Sequence, residues 1–243
     1  MKKLFSILLI VFGLTQTSVL AQDVNVCMQD LSIFAEFAKV KNYKAAFEPW
    51  MRVRQNCPTI NAAVYTYGER ILKDLINNGT PEEQEASKKD LILLYDEWVQ
   101  NFPKKKNQSQ VGDILSAKAQ ALLDYKLADL KVIYTTFDEA YKKDAASFTS
   151  PKLLYNYFKT LYDRYKAGDS EVTMELLFNM YEEISEKFEF EQTELAKKLD
   201  VILKKEAAGT ALSSRETRNK RVYDVNSNAF GIFSSNLDAI IAK

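Results

Sequence analysis

The sequence predicts an all-α fold of stacked antiparallel helical hairpins, and three observations carry that expectation. Apolar residues recur at spacings of three and four along nearly the whole chain, which is the period of a helix. Seven Gly and five Pro in 243 residues are few, while Lys, Glu, Leu and Ala abound, a composition that favours helices joined by short turns over a sandwich or barrel. Several of these breakers, at Cys57-Pro58, Asn78-Gly79, Phe102-Pro103, Ser150-Pro151 and Gly168-Asp169, fall between the periodic stretches.

The first segment reads differently. Lys2 and Lys3 precede the apolar run Leu4 to Leu14 and a polar stretch ending in small residues. This is the pattern of a secretory signal peptide, and Val19 and Ala21 place the expected cleavage after Ala21. The apolar run is shorter than the ~20 residues a membrane span needs, and no later stretch is long enough, so no membrane span is expected. Val24, Asn25 and Val26 before Cys27 do not form a lipobox. The expected organisation is therefore a signal peptide over 1–21, a helical domain over 22–208, and a mobile linker with a C-terminal helical segment over 209–243. The expected location is periplasmic or secreted.

Along the mature chain, Leu31, Phe34, Phe37 and Ala38 line a first helix. Tyr43, Ala46, Phe47, Trp50 and Val53 line a second. A third spans about Ile60 to Asn77. Thr80-Pro81-Glu82-Glu83 then reads as an N-cap, a first-turn proline and early acids, opening a helix that ends at Pro103. Lys104 to Asn107 reads as a loop. Further helices are expected over about Ser109 to Tyr125, Leu127 to Asp144, Pro151 to Ala167, Glu171 to Glu189 and Gln192 to Ala208. Gly209 to Asn219 reads as mobile, and a last segment from Val222 to Ile241 is interrupted near Gly231. That makes ten segments, or about five hairpins.

Residues 30–58 resemble a tetratricopeptide (TPR) repeat, a 34-residue helix-turn-helix with set aromatic, small and proline positions. Ile33 stands at the Leu place and Phe37 at the Tyr place. Tyr43, Ala46 and Trp50 carry the second helix, and Pro58 closes the unit. Asp30 and Phe34 depart from the Trp and Gly of the pattern. Tyr95 with Pro103, and Phe137 with Ala140, echo second helices less closely. The run Leu31 to Pro58, with Phe137 to Tyr141 and Pro151 to Tyr155, is also similar to exported TPR-like proteins of Gram-negative bacteria. The resemblance implies a right-handed TPR-like α-solenoid that acts as a binding scaffold for a protein or peptide partner.

Composition narrows the chemistry. The chain has no His, which removes Ser-His-Asp and Cys-His catalysis and His-ligated zinc. It has no phosphate-loop glycine spacing and no nucleophile-elbow motif. No catalytic residue, cofactor or metal is expected, and the chain is read as a non-enzyme; a His-free enzyme is the third reading. Lys plus Arg and Asp plus Glu are equal at 33, and loss of Lys2 and Lys3 leaves the mature chain slightly acidic. Nothing in that balance attracts nucleic acid.

Cys27 and Cys57 are the only cysteines. A redox pair or soft-metal site lacks a Cys-x-x-Cys motif or His partners. A disulfide joining the start of the first helix to the end of the second fits both the hairpin and an oxidising compartment. Asp224 to Asn228 begins like a calcium loop but has Ala229 at the Gly place and Ser235 at the Glu place. Arg215, Arg218, Lys220 and Arg221 form a basic cluster. Glu182, Glu183, Glu186, Glu189, Glu191 and Glu194 form an acidic stretch. Five aromatics crowd one helix; Phe158, Tyr162 and Tyr165 read as core, leaving Tyr155 and Tyr157 as possible interface residues. Surface aromatics also support the alternative of a carbohydrate- or envelope-polymer-binding module.

Overall fold

The computed structural model describes residues 16–242, with side chains from residue 24 onward. Residues 1–15 of the expected signal peptide lie outside the described residues. The fold is all-α: among the described residues there are nine helices and one minimal strand pair. The chain divides into two compact units, Met1–Phe102 and Pro103–Lys243.

The first unit holds α1 (Gln16–Lys39), α2 (Tyr43–Asn56), α3 (Ala63–Asn78) and α4 (Pro81–Asn101). Helices α1 and α2 pack as one hairpin and α3 and α4 as another, with α3 also against α1 and α2. Lys41, in the left-handed region (φ 61°), makes the α1–α2 turn. The Asn42 amide donates back to the Phe37 carbonyl, and the Asn42 side chain then accepts from the Ala45 amide to start α2. Thr80 and Glu83 form the reciprocal capping box that the sequence signals, with the Thr80 amide donating to Glu83 at 2.8 Å.

Trp50 is the centre of this unit. Its ring is fully buried, its indole N–H donates to the Val64 carbonyl at 2.7 Å, and it lies against Phe47. Gly68 makes room for it: a Cβ at that position would sit 2.7 Å from the ring. Ala46, also fully buried, sits one turn before Trp50 on the same face of α2. Ala46→Leu should therefore overpack the hairpin and cost about 1 to 3 kcal/mol. Lys44→Leu, on the exposed side of the same helix, should stay within about 0.5 kcal/mol. Thermal unfolding of the two variants checks the contrast, and equal melting temperatures would refute the close approach.

The second unit opens with β1 (Lys104–Lys105) and β2 (Gln108–Ser109), paired antiparallel. The expected loop is thus a small hairpin, because Lys106 and Asn107 both adopt positive φ and form the tight turn that suits paired strands. Helices α5 (Val111–Asp124), α6 (Leu130–Asp144), α7 (Pro151–Lys166), α8 (Met174–Ala207) and α9 (Ser214–Ile241) follow. Helix α5 pairs with α6, α7 packs on α6, and α8 pairs with α9 against α7. At Gly112 a Cβ would fall 2.1 Å from the Asp144 carbonyl, so the α5–α6 approach requires glycine.

Four expectations change here. The two helices expected over Glu171 to Ala208 are one, α8, because no Gly or Pro interrupts the chain between Thr173 and Gly209. The stretch expected to be mobile to Asn219 is helical from Ser214, started by a Ser213–Glu216 capping box. Gly231 lies inside α9 without a break. The expected five hairpins become four, with α7 between α6 and the α8–α9 pair.

Candidate functional site

The packing face of α1 is made by Cys27, Asp30, Leu31, Phe34 and Ala38, all buried, at spacings of three and four that keep them on one side. Asp30 is inside because Arg52 of α2 grips it with two nitrogens, at 2.7 and 2.8 Å. That hydrogen-bonded pairing holds the Asp30 carboxyl below its ordinary range. Cys27 is inside because it is bonded to Cys57, with Cα atoms 6.3 Å apart, so the disulfide ties the α1 face to the end of α2.

Fixing this face corrects two packing residues. Ile33 and Phe37, expected between the helices, are 38% and 37% exposed. They belong to a second apolar stripe, Val26, Ile33 and Phe37 on α1 with Val40 in the turn just after it, and all four are exposed. Their spacings of seven, four and three return to one direction at ~100° per residue. Of the other expected packing residues, Ala46 and Trp50 are buried, and Tyr43 and Pro58 are half-buried.

The possible interface residues of α7 are also corrected. Tyr157 is buried, 3% exposed, in a ring cluster with Tyr134, Phe137, Tyr141 and Phe148. Its hydroxyl donates to Asp138 at 2.7 Å. Burial, with Tyr134 and Asp138 beside it, pushes that phenol far above its ordinary range. Tyr155 is half-buried against Phe233 of α9. The buried face of α7 is Leu154, Tyr157, Phe158, Leu161 and Arg164. Tyr162 and Tyr165, expected inside, are half-buried beside it. In the same cluster, burial first and then Glu183 and Glu186 push the Tyr141 phenol to about 12.

Two buried arginines act as cross-links that no local motif announces. Arg54 of α2 reaches Asp90 at 2.8 Å and Glu97 at 2.8 Å, both on α4, and lies over the Trp50 ring. Burial opposes its charge, but the hydrogen bonds to Glu97 and the attraction of Asp90 outweigh that and raise its pKa. Arg164 of α7 holds Asp169 and Glu171 at 2.7 and 3.0 Å and lies over Tyr134. It borders an open recess of about 530 Å³ whose walls include Leu123, Leu130, Ile133 and Lys131. Lys131 is itself paired with Glu171, so these charges hold one another and leave an apolar floor.

The calcium-like stretch Asp224 to Asn228 lies within α9, where the side chains fan around the axis and do not converge. Among the described residues no group of three or more Cys, Asp or Glu is placed to hold a metal ion. No described helix is long and apolar enough to cross a membrane. No protein-family model matches the chain, and no curated protein does.

Proposed function

We propose that this protein is an exported, non-enzymatic, TPR-like helical scaffold that binds a protein or peptide partner in the cell envelope. The observation that carries the reading is the exposed stripe of Val26, Ile33 and Phe37 on α1, continued by Val40 in the turn that follows. Apolar side chains repeated along one exposed helix face are the anchors that an amphipathic partner segment uses. Helix α1 is stiffened for that role by the disulfide to Cys57 and by the two-pronged Asp30–Arg52 contact. Export is supported by the pattern of residues 1–21 and by the disulfide, a bond of oxidising compartments. The non-enzymatic reading rests on the lack of histidine and on carboxylates engaged by arginine and lysine partners.

A photo-activatable phenylalanine analogue at Phe37, expressed in the native cell, should give an adduct of discrete mass on irradiation. The same analogue at Lys44 should give none. Ile33→Glu with Phe37→Glu should abolish partner capture while shifting stability by no more than about 1 kcal/mol, as exposed substitutions do. Identical adduct patterns at positions 37 and 44, or none at either, would refute the reading.

A further inference from the structure

The α8–α9 hairpin carries a surface that nothing in its own unit covers. Phe188 meets Phe230, Tyr181 donates to Asp238 at 2.8 Å, and Lys205 pairs with Glu216, so the two helices run antiparallel in a fixed register. Ring contacts place α7 against Tyr181 and Phe233, toward the open end of the hairpin. From Phe190 the α8 helix continues for about 25 Å at 1.5 Å per residue. Among the described side chains of residues 190–229 only Leu195 and Ile202 are buried. Two buried side chains are a thin seam for so long a pair of helices, whose stability normally comes from packing an apolar face.

The missing face is present on the outside. Phe190 and Val201 are 59% and 58% exposed and stand three turns apart on one stripe of α8. Val222, Val225 and Ile232 form an exposed stripe on α9. Each stripe precedes its helix's buried seam by roughly 120° of rotation at ~100° per residue. Because the helices run in opposite directions, equal offsets bring both stripes to the same side of the hairpin.

Charge along the hairpin is segregated about that patch. Between Met174 and Leu195 there are seven acids and one base, whereas between Ala196 and Arg221 there are eight bases and three acids. The exposed acids Glu182, Glu183, Glu186 and Glu189 and the basic group Lys197, Lys198, Lys204 and Lys205 are centred about 24 Å apart along α8. Their midpoint falls within the Phe190–Val201 stripe.

We propose that the occupant of this face is the same hairpin of a second copy, docked antiparallel about a two-fold axis near the middle of the stripe. Such an isologous contact sets the basic tip of each copy on the acidic stretch of the other and closes the apolar patches between them. Parallel docking would instead oppose like charges. The attraction between exposed charges weakens with salt, while the apolar patch supplies the contact area.

Sedimentation equilibrium of residues 22–243 should give a dimer whose dissociation constant rises at least about tenfold between low and high salt. Lys197→Glu with Lys204→Glu and Arg218→Glu should sediment as a monomer. So should Glu183→Lys with Glu186→Lys and Glu189→Lys. An equimolar mixture of the two variants should form a heterodimer, because each tip again meets a stretch of opposite charge. The mixture also serves as the folding control, since misfolded variants would not rescue one another; unchanged helicity by circular dichroism is the second. A wild-type chain that stays monomeric, a dimer indifferent to both charge reversals, or a mixture that does not pair overturns the proposal. So would a monomer whose basic tip binds a polyanion such as heparin.

Discussion

Trp50→Ala should destabilise the first unit by about 3 to 5 kcal/mol, the range for removing a large buried aromatic side chain. Three losses combine at this position. The fully buried ring leaves a cavity between α2 and α3. The Val64 carbonyl loses the indole donor that reaches it at 2.7 Å. Arg54 loses the ring beneath its guanidinium while it still has to hold Asp90 and Glu97. Gly68→Ala tests the same joint from the other side, since its Cβ would press on the ring at 2.7 Å. Urea unfolding followed by circular dichroism should show the first unit melting early in Trp50→Ala. A loss below about 1 kcal/mol would mean that the two hairpins of this unit are held together elsewhere.

Removing the disulfide is the other large change. Cys27 and Cys57 are 30 positions apart, and opening a loop of that length costs about 3 to 4 kcal/mol in the chain-entropy account. Cys27→Ala with Cys57→Ala should lower the stability of the first unit by roughly that amount without changing its helix content. The unfolded, unreduced wild type should show no free thiol on titration. Two titratable thiols, or a double variant as stable as the wild type, would refute a stabilising role. The cost falls on the proposed binding face, because the bond fixes the end of α1 that carries Val26. Partner capture through Phe37 should therefore weaken together with stability. A loss of capture with stability intact would point to redox control.

The helical architecture was legible because apolar period and breaker residues are local signals. Thr80, Pro81 and Glu83 announce α4, and Ser150-Pro151 announces α7. The choice between faces was less legible. Helix α1 has apolar residues on more than one side, and only Cys57 and Arg52, distant in sequence, decide that Leu31 and Phe34 go in and Ile33 and Phe37 stay out. Tyr157 is hard to place from sequence for a related reason. Five aromatics in α7 permit two overlapping stripes, and the hydroxyl's partner Asp138 lies on another helix. The undivided α8 could have been read from the lack of a breaker; exposed Phe190 disturbs its period and mimics a boundary. The Ser213–Glu216 capping box was also present in the sequence, within a stretch whose polarity suggested mobility. The Arg54 contacts with Asp90 and Glu97 span 36 and 43 positions and have no local signature.

The placement of the indoles has a spectroscopic consequence. The protein has two tryptophans, Trp50 and Trp98, and both belong to the first unit. Trp50 is shut away from water, and the Trp98 indole nitrogen is buried without a hydrogen-bond partner. Emission excited near the red edge of protein absorbance therefore reports residues 16–102 alone, starting blue-shifted and moving red as that unit opens. Far-ultraviolet ellipticity weighs the helices of both units. Superimposable transitions by the two signals would mean that the units melt together; separated transitions would assign a stability to each without cutting the chain.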